Sequence, residues 1–325
     1  MATGKLPNEV LDKLLKNNIK TNRKEVLVGA QVGMDTAQID FGENVCVVST
    51  DPITGASANI GSLAIDISVN DVSTSGADSI GVLVTILAPV GSTVDEIENI
   101  MKDASNRARD LNVQIIGGHT EITDAVNKFI VSTTVIGKIN KKNIIKHKSV
   151  EFGDYIYMTK YMGLEGTAIL ASDKKNQLKG TLSDKELKEA QNLFNSISVK
   201  KDGMTAIKSE VHYMHDVTEG GIYGAIYEAY QGIHKGVEII KEDIPVLDVT
   251  KKIAKYFDIN PYRLISSGSM LIIARSNTNI ENDFKLAGIK LTKIGEVKGD
   301  KPLIIENKEA KEIEPPTKDE LYNAI

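Results

Sequence analysis

Val113-Gln114-Ile115-Ile116-Gly117-Gly118-His119-Thr120-Glu121 begins as an apolar run and breaks at two glycines into a polar word. The change recurs along the chain. Val32-Gly33-Met34-Asp35-Thr36-Ala37, Thr50-Asp51-Pro52, Asn70-Asp71-Val72 and His215-Asp216-Val217-Thr218-Glu219-Gly220-Gly221 each lie at or beside an apolar run. Four of these five words carry an aspartate where a core would otherwise continue. A carboxylate is costly to bury unless it binds a cation or accepts several hydrogen bonds. Aspartates set among glycines therefore point to a pocket for Mg²⁺ and a polyphosphate, since hard cations take oxygen ligands and glycine lets backbone amides approach phosphate.

Around these words the periodicity alternates between strand and helix. Glu9 to Ile19 has helical spacing, Asn44 to Ser49 is a short strand ending at Thr50-Asp51, and Asn59 to Ser75 reads as a helix carrying Asn70-Asp71. Its small residues Gly61, Ala64, Ser68 and Ser73 permit close packing. Ile80 to Pro89 is a strongly apolar strand. Thr93 to Leu111 is a helix whose Thr93 and Glu96 have capping-box spacing, with Ile97, Ile100, Met101, Ala104 and Ala108 as its buried stripe. Strands follow at Val113 to Ile116 and Phe129 to Ile139.

A lysine-rich stretch (Lys138, Lys141, Lys142, Lys146, Lys148) ends near Val150 and divides the chain into domains 1–150 and 151–325. Beyond it, strands are expected at Tyr155 to Thr159, Val237 to Ile240, Met270 to Ala274 and Leu291 to Val297. Helices are expected at Leu164 to Ser172, Ser183 to Asn195, Val199 to Glu210, from the Gly220-Gly221 word to about Gln231, Ile280 to Ala287 and Lys318 to Ala324. The βαβα ordering with few hairpin signals predicts layered α and β structure.

Composition narrows the class. With 325 residues the chain has the size of two domains, and a net charge of −5 gives no nucleic-acid footprint. A single cysteine, Cys46, excludes an intramolecular disulfide and a cysteine-only metal site. Met1 to Lys5 lacks the apolar stretch of a signal peptide, and no segment has the length of a membrane span, so a cytoplasmic protein is expected.

Taken together, the words resemble the ATP-binding superfamily of aminoimidazole-ribonucleotide synthase, the hydrogenase-maturation protein HypE, selenophosphate synthetase and thiamine-monophosphate kinase. The match runs in order through Gly4-Lys5, Gly33-x-Asp35-x-Ala37, Thr50-Asp51, Asn70-Asp71-Val72 with Gly76-Ala77, Gly117-Gly118-x-Thr120 and Asp216-x-Thr218-x-Gly220-Gly221. It most resembles a HypE-like, AIR-synthase-related branch. The resemblance implies an α/β (α+β) PurM-like architecture: an N-terminal half-barrel that dimerises with a second copy, plus a C-terminal α/β domain. It also implies ATP and Mg²⁺ as cofactors, and phosphorylation of a carbonyl, amide or related oxygen on a small-molecule acceptor. A non-catalytic ATP-binding regulatory or maturation partner is the alternative.

Carried over by position, Asp35, Asp71 and Asp216 match magnesium ligands and Asp51 lies against nucleotide and metal. Gly117, Gly118 and Thr120 face ATP, and Lys5 reaches its phosphates. Asp71 and His119 are the candidate catalytic residues. Helix or turn caps are the simpler reading of Asp35, Asp71 and Asp216, and a tail residue that of Lys5. His119 stands where some relatives carry Asp, and serves equally well as a phosphate donor or a structural hydrogen-bond partner. His215 is either a supporting group for Asp216 or a solvent-facing neighbour. Arg263 either meets an anionic acceptor group or makes a surface ion pair. The chain ends Asn323-Ala324-Ile325, without the terminal cysteine of HypE, and residues 1 to 20 lack the cysteine of selenophosphate synthetase.

Overall fold

The computed structural model describes residues 8–31, 34–54, 59–145, 149–316 and 318–324. Gly4, Lys5, Val32, Gly33, Lys146, His147 and Lys148 lie outside the described residues. The first half runs α1 (Asn8–Asn18), β1 (Val26–Val28), β2 (Ala37–Phe41), β3 (Asn44–Ile53), α2 (Ile60–Thr74), β4 (Asp78–Pro89), α3 (Val94–Asp110), β5 (Gln114–Thr123) and β6 (Ile130–Asn140). The second half opens with β7 (Tyr155–Thr159), α4 (Leu164–Asp173), α5 (Lys175–Leu178), α6 (Asp184–Gln191), α7 (Lys200–Ala206), β8 (Val211–Asp216) and α8 (Gly221–Ile233). It continues through β9 (Val237–Ile240), α9 (Asp248–Phe257), β10 (Met270–Ala274), α10 (Ile280–Ala287), β11 (Leu291–Val297), β12 (Pro302–Glu306), β13 (Glu309–Glu312) and α11 (Leu321–Ala324).

Each half builds one sheet. The first has the order β1-β2-β3-β6-β4-β5 and the second β13-β12-β9-β11-β7-β10-β8. Among the named strands of the described residues, only β4–β5 and β9–β12 pair in parallel; the other neighbours are antiparallel. Two tight hairpins occur that the sequence did not signal. The turn at Gly42-Glu43 closes β2 on β3, and Asn307-Lys308, both at positive φ, closes β12 on β13. Neither turn carries an Asn-Gly or Asp-Gly signal. Strand β8 and helix α9 also escaped the sequence reading. β8 is buried on both faces and shows no alternation, and α9 takes its place from the packing of Ile253 and Ala254. The helix expected to reach Glu210 stops at Ala206, and the terminal one begins only at Leu321.

α2 is the centre of the molecule, packed on β3, β6 and α3 on one side and on β8 and α7 of the second half on the other. Its small residues make this possible. A Cβ on Gly61 would lie 2.4 Å from the Ile100 carbonyl of α3, and one on Gly203 of α7 would lie 2.3 Å from the Ser73 carbonyl. The capping box of α3 forms as expected, with Thr93 and Glu96 exchanging hydrogen bonds. Ala104 and Ala108 are buried, whereas Met101 is exposed. It follows Ile100 by one residue and so sits about 100° around the helix from the seam. Asn70 joins the halves: its Nδ2 donates to the Ile197 carbonyl at 2.8 Å and its Oδ1 accepts from Val199 N at 2.8 Å, all buried. Among the described residues no helix is long and apolar enough to cross a membrane.

Candidate active site

Four aspartates from four separate words meet where α2 crosses the end of β8. Asp71 faces inward from α2, is buried, and accepts a hydrogen bond from Ser49 Oγ of β3. Burial first, then the charges of Asp216, Asp51 and Asp35, with a hydrogen bond to Asp51, hold the Asp71 carboxyl well above the usual carboxylate range. Asp216 is the last residue of β8 and only 1% exposed. Thr50-Asp51 lies within β3 rather than at its end, because the strand continues through Pro52 to Ile53.

His215 completes the cluster. It is buried, with Nδ1 3.0 Å from Asp35 Oδ2 and 3.8 Å from Asp216 Oδ1, and Nε2 3.0 Å from Glu228 Oε2 of α8. Burial would push this imidazole down, but the Asp35 charge, Tyr213 and hydrogen bonds with Asp216 and Asp35 outweigh it and hold the imidazole well above its ordinary value. His215 is thus a fixed imidazolium between carboxylates. The reading that faced it to solvent is corrected, and Glu228, about two turns into the amphipathic helix α8, was not singled out in the sequence. Donor atoms of Asp35, His215 and Asp216 lie within 4.8 Å of one another. The set is rich in carboxylate oxygen, which suits a hard divalent cation; the charged imidazole suits the role of counter-ion better than that of ligand.

The Gly-Gly word sits elsewhere in the same sheet. Asp51 pairs with Thr133, Thr133 with Val84, and Val84 with Gly118, so the two words share one rung, three strand spacings or about 14 Å apart. Gly117 and Gly118 have φ of 156° and 151°, and a Cβ on Gly118 would fall 1.8 Å from the Val84 carbonyl oxygen. The adjacent rung Pro52–Ser132–Thr85–His119 belongs to the opposite face. His119 is 64% exposed there and lies 3.1 Å from Glu121. Within one chain, then, the aspartates converge, whereas His119 and Thr120 lie on an exposed edge strand. Arg263 donates to the carbonyls of Glu314 and Pro315 and stacks on Tyr223, rather than pairing with a carboxylate.

Comparison with known proteins bears on the family and the fold. Residues 33–139 match the family model described as AIR synthase related protein, N-terminal domain, and residues 151–306 match its C-terminal domain. The chain is similar to a protein of Methanocaldococcus jannaschii named for hydrogenase expression and formation, at 25% identity over 84% of this chain and 81% of that one. It is likewise similar to a selenide, water dikinase of Treponema denticola, at 25% identity over 75% and 67% of the two chains. In structure it resembles AaThiL complexed with AMPPCP and TMP (TM-score 0.76, 17% identity, 98% of this chain and 99% of that one). It also resembles the hydrogenase maturation protein HypE in complex with ATP (TM-score 0.68, 17% identity, 97% and 94%). The two sheet-bearing halves are those of the PurM-like two-domain fold.

Proposed function

Because the chain belongs to the AIR synthase related family, a family of enzymes, we propose that it is an ATP- and Mg²⁺-dependent enzyme that phosphorylates a carbonyl, amide or related oxygen of a small molecule. The observation that carries this reading is the convergence of Asp35, Asp51, Asp71 and Asp216, drawn from both halves, around one buried imidazolium. A binding module has little use for four carboxylates held together against their mutual repulsion, whereas phosphoryl transfer needs a site that fixes cations and polyphosphate in line with a nucleophile. ATP as the donor is supported by the HypE complex with ATP.

Asp35, Asp71 and Asp216 would hold Mg²⁺, with Asp51 beside them. When bound, the ion neutralises phosphate charge and orients the transferred group. The chain's own residues do the rest. His215, clamped by Glu228, offsets part of the carboxylate charge and keeps Asp35 and Asp216 in place. Ser49 orients Asp71 through its hydroxyl. Gly118 allows β5 to run flush against β4, leaving the Gly-Gly word open to a ligand.

The site spans the seam between the domains proposed at 1–150 and 151–325. A homodimer is part of this reading. Edge strand β5 leaves Ile115, Ile116 and Ile122 exposed, a pattern soluble proteins ordinarily cover. A second copy laid along β5 would bring its own His119 and Glu121 into the assembly. A cytoplasmic location fits an enzyme that consumes ATP.

Titration calorimetry with ATP in the presence and absence of Mg²⁺ tests the core of the proposal. Mg²⁺-dependent binding that Asp216→Asn weakens about 10- to 100-fold is the expected result. Wild-type protein that binds no nucleotide would refute it.

A further inference from the structure

A small pocket of about 80 Å³, open to solvent on one side, lies between the end of β3 and the second half, beside the aspartate cluster. Its rim includes Pro52, the residue after Asp51, and Glu219, three residues after Asp216. Ile53 and Ile169 form apolar walls, and three carboxylates, Glu165, Glu219 and Asp319, face the space with no lysine or arginine among the lining residues.

Two of these carboxylates are well satisfied internally. Asp319 accepts from the backbone amides of Gly220 at 2.7 Å, Leu321 at 2.8 Å and Ile265 at 3.2 Å. Glu219 accepts from the Tyr322 hydroxyl at 3.4 Å. Glu165 differs. It sits on α4, is 4% exposed, and its Oε2 has no hydrogen-bond partner among the described residues. Burial pushes its carboxyl up to about 7, reinforced by the Asp319 and Glu219 charges and opposed by hydrogen bonding from the side chain and backbone of Ser267, so that only Oε2 is left open. A buried acceptor left open in a negatively charged pocket calls for a donor, and preferably a cationic one. Asp319 is committed to three backbone amides and Glu219 to the Tyr322 hydroxyl, and the remaining walls are largely apolar, which favours an organic cation with a hydrocarbon body over a bare metal ion.

We infer that this pocket binds an ammonium or amidinium group through Glu165, so that the acceptor phosphorylated at the aspartate cluster is a small molecule with a cationic arm. The inference rests on the proposed function for the word acceptor, but the pocket is testable without nucleotide. Benzamidine hydrochloride and its neutral isostere benzamide, each titrated calorimetrically into the full chain at pH 8, form the test. Wild-type protein should bind benzamidinium at least tenfold more tightly than benzamide. Glu165→Gln, which keeps the shape and removes the charge, should abolish the difference while leaving ATP binding and circular dichroism unchanged. Equal affinities in the wild type, absence of binding by either probe, or a preference that survives in E165Q would each overturn the assignment. A retained cation preference in protein that binds no ATP would leave the pocket standing and remove the phosphotransferase reading. ATP binding without cation preference would do the reverse.

Discussion

At the scale of the residue, the site is governed by the cost of crowding carboxylates. Burial and three neighbouring aspartates hold the Asp71 carboxyl well above the usual carboxylate range. Asp71→Asn should therefore leave the fold intact in denaturant melts, while ATP-dependent phosphate release falls about 100-fold or more. Glu228→Gln acts at one remove: it loosens the clamp on His215, and a loss of about tenfold in Mg²⁺-dependent turnover is expected. Glu165 makes a pH prediction. Its carboxyl stands near 7 in the folded chain against an ordinary 4.5, so the folded state holds the extra proton between those values and stability falls as pH rises through them. Relative to wild type, Glu165→Gln should gain on the order of 3 kcal/mol between pH 4.5 and pH 8, read from urea midpoints at each pH. An unchanged difference across that range would count against a buried, titrating Glu165.

At the scale of the element, α2 and β5 carry the argument. α2 bridges both halves because its neighbours are small and its polar residues each find a partner: Ser68 on Thr133, Asn70 on the Ile197–Val199 segment and Asp66 on Arg107. Asn70→Ala would leave a buried amide and a buried carbonyl unpaired and should cost about 3 kcal/mol by chemical denaturation. The Asn-Asp word thus divides its labour, with Asn70 holding the halves together and Asp71 serving the site. β5 depends on Gly118, where any side chain meets the Val84 backbone. Much of α2 was legible in advance, since its small residues and polar word stood out at helical spacing. β8, which delivers Asp216, was not, because a strand buried on both faces has no alternation and His212, His215 and Asp216 break up its apolar run.

At the scale of the whole molecule, the exposed isoleucines of β5 are the surface on which the proposed dimer rests. Light scattering at micromolar concentration should report a dimer, and Ile116→Lys should shift it to monomer with the secondary structure unchanged. A wild-type monomer would remove the partner strand from the reading of His119. The order of the words along the chain was enough to determine the family and to pick out Asp35, Asp51, Asp71 and Asp216, because glycine and aspartate inside apolar runs are dictated by local backbone and solvation requirements that one sequence displays. Only the tertiary structure decided which of the words meet. It set His119 on the far face of the sheet, buried His215 between carboxylates and Glu228, and left one oxygen of Glu165 open in a pocket between the halves. Pairing register, strand face and the closeness of residues more than a hundred positions apart follow from packing across elements, and no local pattern encodes them.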